Sequence, residues 1–456
     1  MSWVVKKIYF LLLLLALCAS IQSCDKDQDY DKSKAILAYA QDSSLEIDDK
    51  LKNQIISLPS LKNNHSFNGS HSLLNQDNEN IEKNFQPFAK SFFNKTNQYK
   101  INRSWSSSHF YASTSEENFY FEPIISQQKI YFLDPSGELF AYDLITKKKI
   151  WQSQIFNKPS IQNFRVAQIT LADNVIYATI GSNYLVAVNA QDGKIIWQKQ
   201  VSALLISKPI VSNNLIYVVS DNNRLYCFKS NNAELKFTHN GVNRSTAILG
   251  SSPPVIYGDK LLVAYSSGEI YALNKINGEV IWTHDLNLNK AINSDFYLND
   301  IDANILVKNE VAYAIGNGGL MKAINIKNGA LIFKKQIAGI ANFWLAKDYI
   351  YVINNDNKLL AINRLSGGIK WFKQLPAYKN PKKLASKFIY NGLIMAGDKL
   401  LISRLDGALI IASPFDGNIE NNINIGRKIS HSPIVVEDKI YLQNIGRFYI
   451  DVIELK

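Results

Sequence analysis

Few side chains in this 456-residue chain are of a type and spacing suited to chemistry. The cysteines are Cys18, Cys24 and Cys227, and the histidines are His65, His71, His109, His239, His284 and His431. The histidines are scattered, with no pair at metal-ligand spacing. The cysteines include no adjacent pair and no C-x-x-C-H haem site, so neither residue type builds a metal centre. No nucleophile and base stand together in a readable pattern. Cys24 is different. Small Ser23 precedes it, and the apolar run Ile8 to Leu17 lies upstream, with Lys6 and Lys7 before that. That is the form of a processing segment that would leave a thiol at the membrane interface. Chemistry therefore falls on one cysteine near the start, and the function of the remainder has to be sought in shape and surface.

The elements that would position such a surface repeat along the chain. Pro254 to Trp282 reads as four short β-rich runs separated by Gly258-Asp259, Ser267-Gly268 and Asn277-Gly278, the last a strong tight-hairpin signal. A small residue in the third run and an aromatic ten positions later recur as Ala141 with Trp151, Ala187 with Trp197, Cys227 with Phe237, Ala272 with Trp282, Ala323 with Phe333 and Ala361 with Trp371. A glycine follows the small residue by six at Gly193, Gly278, Gly329 and Gly367. A weaker copy has Ile411, Gly417 and Asn421, and the last, from Ile440 to Val452, ends before its fourth strand. Four strands per unit at a period of about 40–50 residues mark a β-propeller. The fold class is therefore all-β, an eight-bladed propeller of four-stranded antiparallel blades. Ile101 to Trp105 has the form of a fourth strand with none before it. It is expected to complete the last blade and close the ring, leaving no open sheet edge. Trp105, Trp151, Trp197, Phe237, Trp282, Phe333 and Trp371 then hold one structural position between blades.

Three segments follow from this reading: a signal peptide over 1–23, a lipidated and largely disordered tether over 24–100, and the propeller over 101–456. The apolar run is too short to span a bilayer. Ile21-Gln22-Ser23-Cys24 resembles the bacterial lipobox, with Cys24 as the lipidated residue. Asp25 follows it, a residue that in some enteric bacteria favours retention at the inner membrane. The stretch from 25 to 100 is rich in Asn, Ser, Lys, Asp and Gln, without sustained periodicity. Cys227 remains as the single thiol of the mature domain, so no internal disulfide forms. The net charge of +11 is spread over loops, with one cluster at Lys379, Lys382, Lys383 and Lys387. That cluster reads as a solvated loop or as a contact for anionic lipid. Basic residues lack the aromatic interleaving of a nucleic-acid surface, so no nucleic-acid partner is expected.

The repeat A-x-N-x-x-x-G-x-x-x-W, seen as AVNAQDGKIIW (187–197), ALNKINGEVIW (272–282) and AINRLSGGIKW (361–371), resembles that of pyrroloquinoline quinone enzymes and their non-enzymatic relatives. With a lipobox and eight such units from about Trp105 to Lys456, the chain resembles the BamB-like outer-membrane protein assembly factors. The resemblance implies a lipid-anchored scaffold at the periplasmic face of the outer membrane. It implies binding to the periplasmic domains of the barrel insertase, BamA, with unfolded outer-membrane proteins as further partners and a monomer outside that complex. It also implies a partner surface at a D-x-D motif, here Asp300-Ile301-Asp302, and at a Leu-Arg-Gly loop before the fourth repeat, here Ile248-Leu249-Gly250. The arginine is missing, with Leu249 in its place and Arg244 nearby. Turn capping is the structural alternative for the two aspartates. A quinone-dependent dehydrogenase is the rival class. It needs a bound calcium ion, a catalytic aspartate and usually an adjacent cysteine pair. Nothing in the chain supplies that pair, and no inserted segment builds a pocket, so the expectation is no enzyme activity, no metal and no cofactor. A periplasmic interaction module with another partner is the third reading.

Overall fold

The computed structural model describes residues 45–68, 81–82, 99–106, 120–134, 136–156, 166–242, 252–287, 301–437, 439–444 and 449–455. Among these residues there is no helix. Seven blades are built from consecutive antiparallel strands, spanning 124–154, 166–200, 210–240, 255–285, 306–335, 344–374 and 390–424. The eighth takes its first three strands from Ile434–Val436, Lys439–Asn444 and Tyr449–Leu455. Its fourth is Tyr99–Ser106, antiparallel to the third, with Trp105 opposite Ile450. The two ends of the domain thus meet in one sheet, as the unpaired N-terminal strand required.

In the first seven blades burial is greatest in the middle strands and falls at the fourth, rim strand. The first strand Trp344–Ala346 is wholly buried, whereas fourth strands such as Ile195–Gln200 leave alternate residues in solvent. Strand direction alternates, so the first-to-second and third-to-fourth turns gather on one face of the ring. The second-to-third turns and the links between blades gather on the other. The first is the turn face and the second the connection face.

The ten-residue spacing has a direct physical meaning. Ala141, Ala187, Cys227, Ala272, Ala323, Ala361 and Ile411 pair across the third and fourth strands with Trp151, Trp197, Phe237, Trp282, Phe333, Trp371 and Asn421. A register shift follows each pair on the third strand, so every fourth strand is re-aimed at the same place. The aromatic then lies over the third-to-fourth turn of the next blade. A Cβ on Gly329 would come within 2.8 Å of the Cβ of Trp282, and one on Gly278 within 2.4 Å of the Phe237 ring. Both glycines have positive φ, 72° and 78°. Only glycine meets both demands without strain. Three indole N–H groups donate across the same seam, Trp151 to the Ala190 carbonyl, Trp197 to that of Ser230 and Trp282 to that of Ile326. Tyr217 and Tyr313 add hydroxyl bonds to the Lys275 and Arg364 carbonyls of the following blades. Trp151, Trp282, Phe333 and Trp371 are buried, and Trp197 and Phe237 half-buried.

The polar N-terminal stretch contributes one segment that is placed on the ring. The stretch 24–100 reads from composition as a largely disordered tether, yet residues 47–67 are laid against the ring. The Asp48 N–H donates to the Ile369 carbonyl at 2.8 Å in blade 6. Leu51, Ile56 and Leu61 are buried. The Asn64 carbonyl accepts from the Glu437 N–H in blade 8. Phe67 pairs with Ile125 in blade 1. The few apolar residues of this strap are spaced too irregularly to show a period. They become a buried set only once the ring supplies surfaces from three blades.

Candidate functional site

Two places on the ring gather residues that could recognise a partner. The first is the connection face between blades 4 and 5. The link from Asp285 to Leu306 carries Ile301, Asp302 and Ala303. Ile301 joins the apolar cluster of Val255, Leu286 and Ile305, while Asp302 beside it stays partly exposed. Asp302 is in a loop and not in a strand ladder. The Ser252 N–H donates to the Ile301 carbonyl at 3.4 Å. This bond joins the approach to blade 4, two residues beyond Gly250, to the D-x-D segment. The two stretches singled out in the sequence, about fifty residues apart, therefore have neighbouring described ends. Asp300, Ile248, Leu249 and Gly250 themselves lie outside the described residues, as do Cys24 and the signal segment.

The second place is the axial end of blades 8, 1 and 3. Lys208, just before the first strand of blade 3, forms an ion pair with Glu122, just before the first strand of blade 1. Both side chains are buried, and the Lys208 ammonium stands 6.0 Å from the centroid of the Phe67 ring. A pair reaching from blade 1 to blade 3 passes inside blade 2, on the axial side. Sequence reasoning missed this group, because Glu122 and Lys208 are 86 positions apart and neither sits in a motif.

Three further titratable groups, His239, His284 and Cys227, lie in the packing within and between blades. His239 Nδ1 lies 2.8 Å from the Tyr265 hydroxyl, and burial holds the imidazole below its ordinary pKa. His284 Nε2 lies 2.7 Å from the Gly329 carbonyl, on the seam between blades 4 and 5. Burial pushes the Cys227 thiol up to about 12. Among the described residues no three His, Cys, Asp or Glu side chains gather in a way that could hold a metal ion. Of the lysine cluster, Lys379 and Lys387 lie on a small exposed hairpin, Tyr378–Asn380 with Ala385–Lys387.

Architecture and repeat chemistry together define an eight-bladed propeller built from PQQ-type repeats. Residues 165–373 match the family model described as outer membrane protein assembly factor BamB. The outer membrane protein assembly factor BamB of Yersinia pestis is 23% identical over 354 residues, covering 76% of this chain and 87% of that protein. The crystal structure of BamB from Moraxella catarrhalis superposes with a TM-score of 0.64 at 17% identity, over 78% of this chain and 99% of that one. The chain is thus similar to BamB over these stretches and shares its fold. The quinohemoprotein alcohol dehydrogenase of Comamonas testosteroni shares the fold, with a TM-score of 0.58 at 12% identity over 77% of this chain and 76% of that one.

Proposed function

We propose that this protein is a non-enzymatic scaffold of outer-membrane β-barrel assembly, anchored through lipid on Cys24 at the periplasmic face of the outer membrane. In this reading its connection face, around Asp300, Asp302 and residues 248–250, holds the periplasmic domains of the barrel insertase. The observation that carries the reading is the BamB likeness along most of the relative's length. The Ser252–Ile301 contact supports the location, since it brings the ends of two separate candidate segments onto one face. The mechanism asked of the protein is positional. A closed ring of interlocked blades is stiff, and a stiff face lowers the entropy lost when a partner's domains are ordered on it. A partly exposed carboxylate beside buried Ile301 offers charge on a fixed backbone and suits recognition of a basic or amide-rich loop. Nothing in this role requires bond making. The axial group of Phe67, Lys208 and Glu122 supports a scaffold over a quinone enzyme, since the protein's own side chains occupy the inner end of blades 1 and 3.

The test is binding of the soluble chain from Asp25 to the purified insertase periplasmic domains, beside the Asp300→Ala, Asp302→Ala double variant. Binding that weakens at least tenfold in the variant is expected. Undiminished binding in the variant would move the site elsewhere on the ring, and no binding by the parent chain would overturn the assembly reading.

A further inference from the structure

Residues 47–67 do more than lie on the ring. Their contacts are those of a bound peptide. The Phe67 N–H donates to the Ile125 carbonyl at 2.6 Å, and the Ile125 N–H donates back to the Phe67 carbonyl at 2.8 Å. This is a two-way antiparallel pair on the innermost strand of blade 1. Three residues earlier, Asn64 is read twice, by the innermost strand of blade 8 and by the turn that follows it. Its side-chain Nδ2 donates to the Val435 carbonyl at 2.5 Å, and its own carbonyl accepts from the Glu437 N–H at 2.8 Å. The Phe67 side chain is fully buried, with the Lys208 ammonium 6.0 Å from its ring centroid. An ammonium at that distance favours an aromatic side chain over an aliphatic one. Innermost strands of a propeller present backbone donors and acceptors to the axis, and an extended segment is the natural ligand for such an edge.

The ring carries a matching adaptation at the strap's other end. Most blades have a residue with a side chain directly after the turn glycine or its equivalent, as at Lys194, Glu234, Glu279, Ala330 and Asn418. Blade 6 has Gly368, where a Cβ would lie 2.4 Å from Asp48 Oδ2 and 2.9 Å from Leu51 Cδ1. Lys370, two residues further on, donates to the Leu51 and Lys52 carbonyls. The strap is thus gripped by blade 6 and then read by blades 8 and 1.

We infer that the axial edges of blades 8 and 1 form a binding site for an extended peptide carrying an amide residue and, three positions later, an aromatic one, and that residues 61–68 occupy it in cis. The inference rests on the proposed function for its second ligand. An extended segment of an unfolded barrel chain, alternating in polarity and rich in aromatics, has the same chemistry and competes for the same edges.

The experiment uses the full mature chain with Asn64→Ala and Phe67→Ala, which frees the site without deleting any strand of a blade. A labelled peptide of residues 59–68 is added, alongside the same peptide with Phe67→Ala. The freed chain binds the parent peptide, the Phe67→Ala peptide binds about tenfold or more weakly, and the unaltered chain binds neither. Hydrogen exchange gives a second reading: the Ile125 and Glu437 amides exchange faster in the double variant and regain protection with the parent peptide. A folded double variant that binds no peptide, or an unaltered chain that binds as well as the variant, overturns the inference. Should the double variant not fold, Phe67→Ala alone replaces it, since it empties the aromatic position at Ile125 and leaves every strand of the blades intact. The same two outcomes then decide. A barrel-strand peptide that fails to compete while the strap peptide binds would leave the site standing and count against the assembly reading alone.

Discussion

Replacing Gly329 by alanine tests the seam between blades most directly. Gly329 sits in the third-to-fourth turn of blade 5 at φ 72°, under Trp282 of blade 4. The left-handed backbone conformation alone disfavours alanine by about 1 kcal/mol relative to glycine. The added methyl would also meet Trp282 Cβ at 2.8 Å and Cγ at 2.7 Å. These atoms stand next to the Trp282 backbone and cannot swing away as a side-chain tip could. Overpacking of this kind adds about 1–3 kcal/mol. The expected loss is therefore about 2–4 kcal/mol, read from urea unfolding followed by tryptophan fluorescence. Adding Trp282→Ala should make the two losses strongly non-additive, because the clash disappears with the ring. A loss under about 0.5 kcal/mol for Gly329→Ala would refute the claim that the glycine is required by the approach of the neighbouring blade. The chain contains its own reference at Ala233, which holds the same turn position in blade 3 at φ 55°. Ala233→Gly should stabilise by about 0.5–1 kcal/mol.

Removing residues up to Ser106 should destabilise by several times more than removing residues up to Gln98, because only the first cut takes away the fourth strand of blade 8; equal midpoints in thermal unfolding would contradict the closure role. Gly368→Ala should increase proteolytic cleavage within residues 47–56 while barely altering the unfolding midpoint of the ring, as limited proteolysis with mass spectrometry would show. Cys227 should resist thiol reagents at pH 8 until the chain unfolds. Its pKa is raised by burial from an ordinary value near 9 to about 12, so its contribution to stability is complete below about pH 9 and declines as pH climbs toward 12. Stability flat across that alkaline window would argue against its burial. The buried tyrosines, among them Tyr351 and Tyr217, are raised for the same reason and steepen the same decline.

Much of this protein could be read from residue order alone, and the reason is local. The Ala272 and Trp282 pair, like its six counterparts, lies within one hairpin, so a spacing of ten along the chain is also a contact in space. Gly329 stands six after Ala323 because the turn there needs a left-handed residue, and the turn is likewise a local object. Repeating that unit determined the blade count, the register and even the closing strand at Trp105. What only the tertiary structure decided lies where the chain is not periodic. Leu51, Asn64 and Phe67 stand in a polar stretch whose composition argues against order. They are held because blades 6, 8 and 1 present them with backbone edges and a space beside Gly368 that no local pattern announces. Lys208 finds Glu122, and Ser252 finds Ile301, only after the ring has brought remote segments to the same end of neighbouring or near-neighbouring blades. Short-range pairing is written in spacing, whereas the burial of a non-repeating segment depends on surfaces that exist only once the ring has closed.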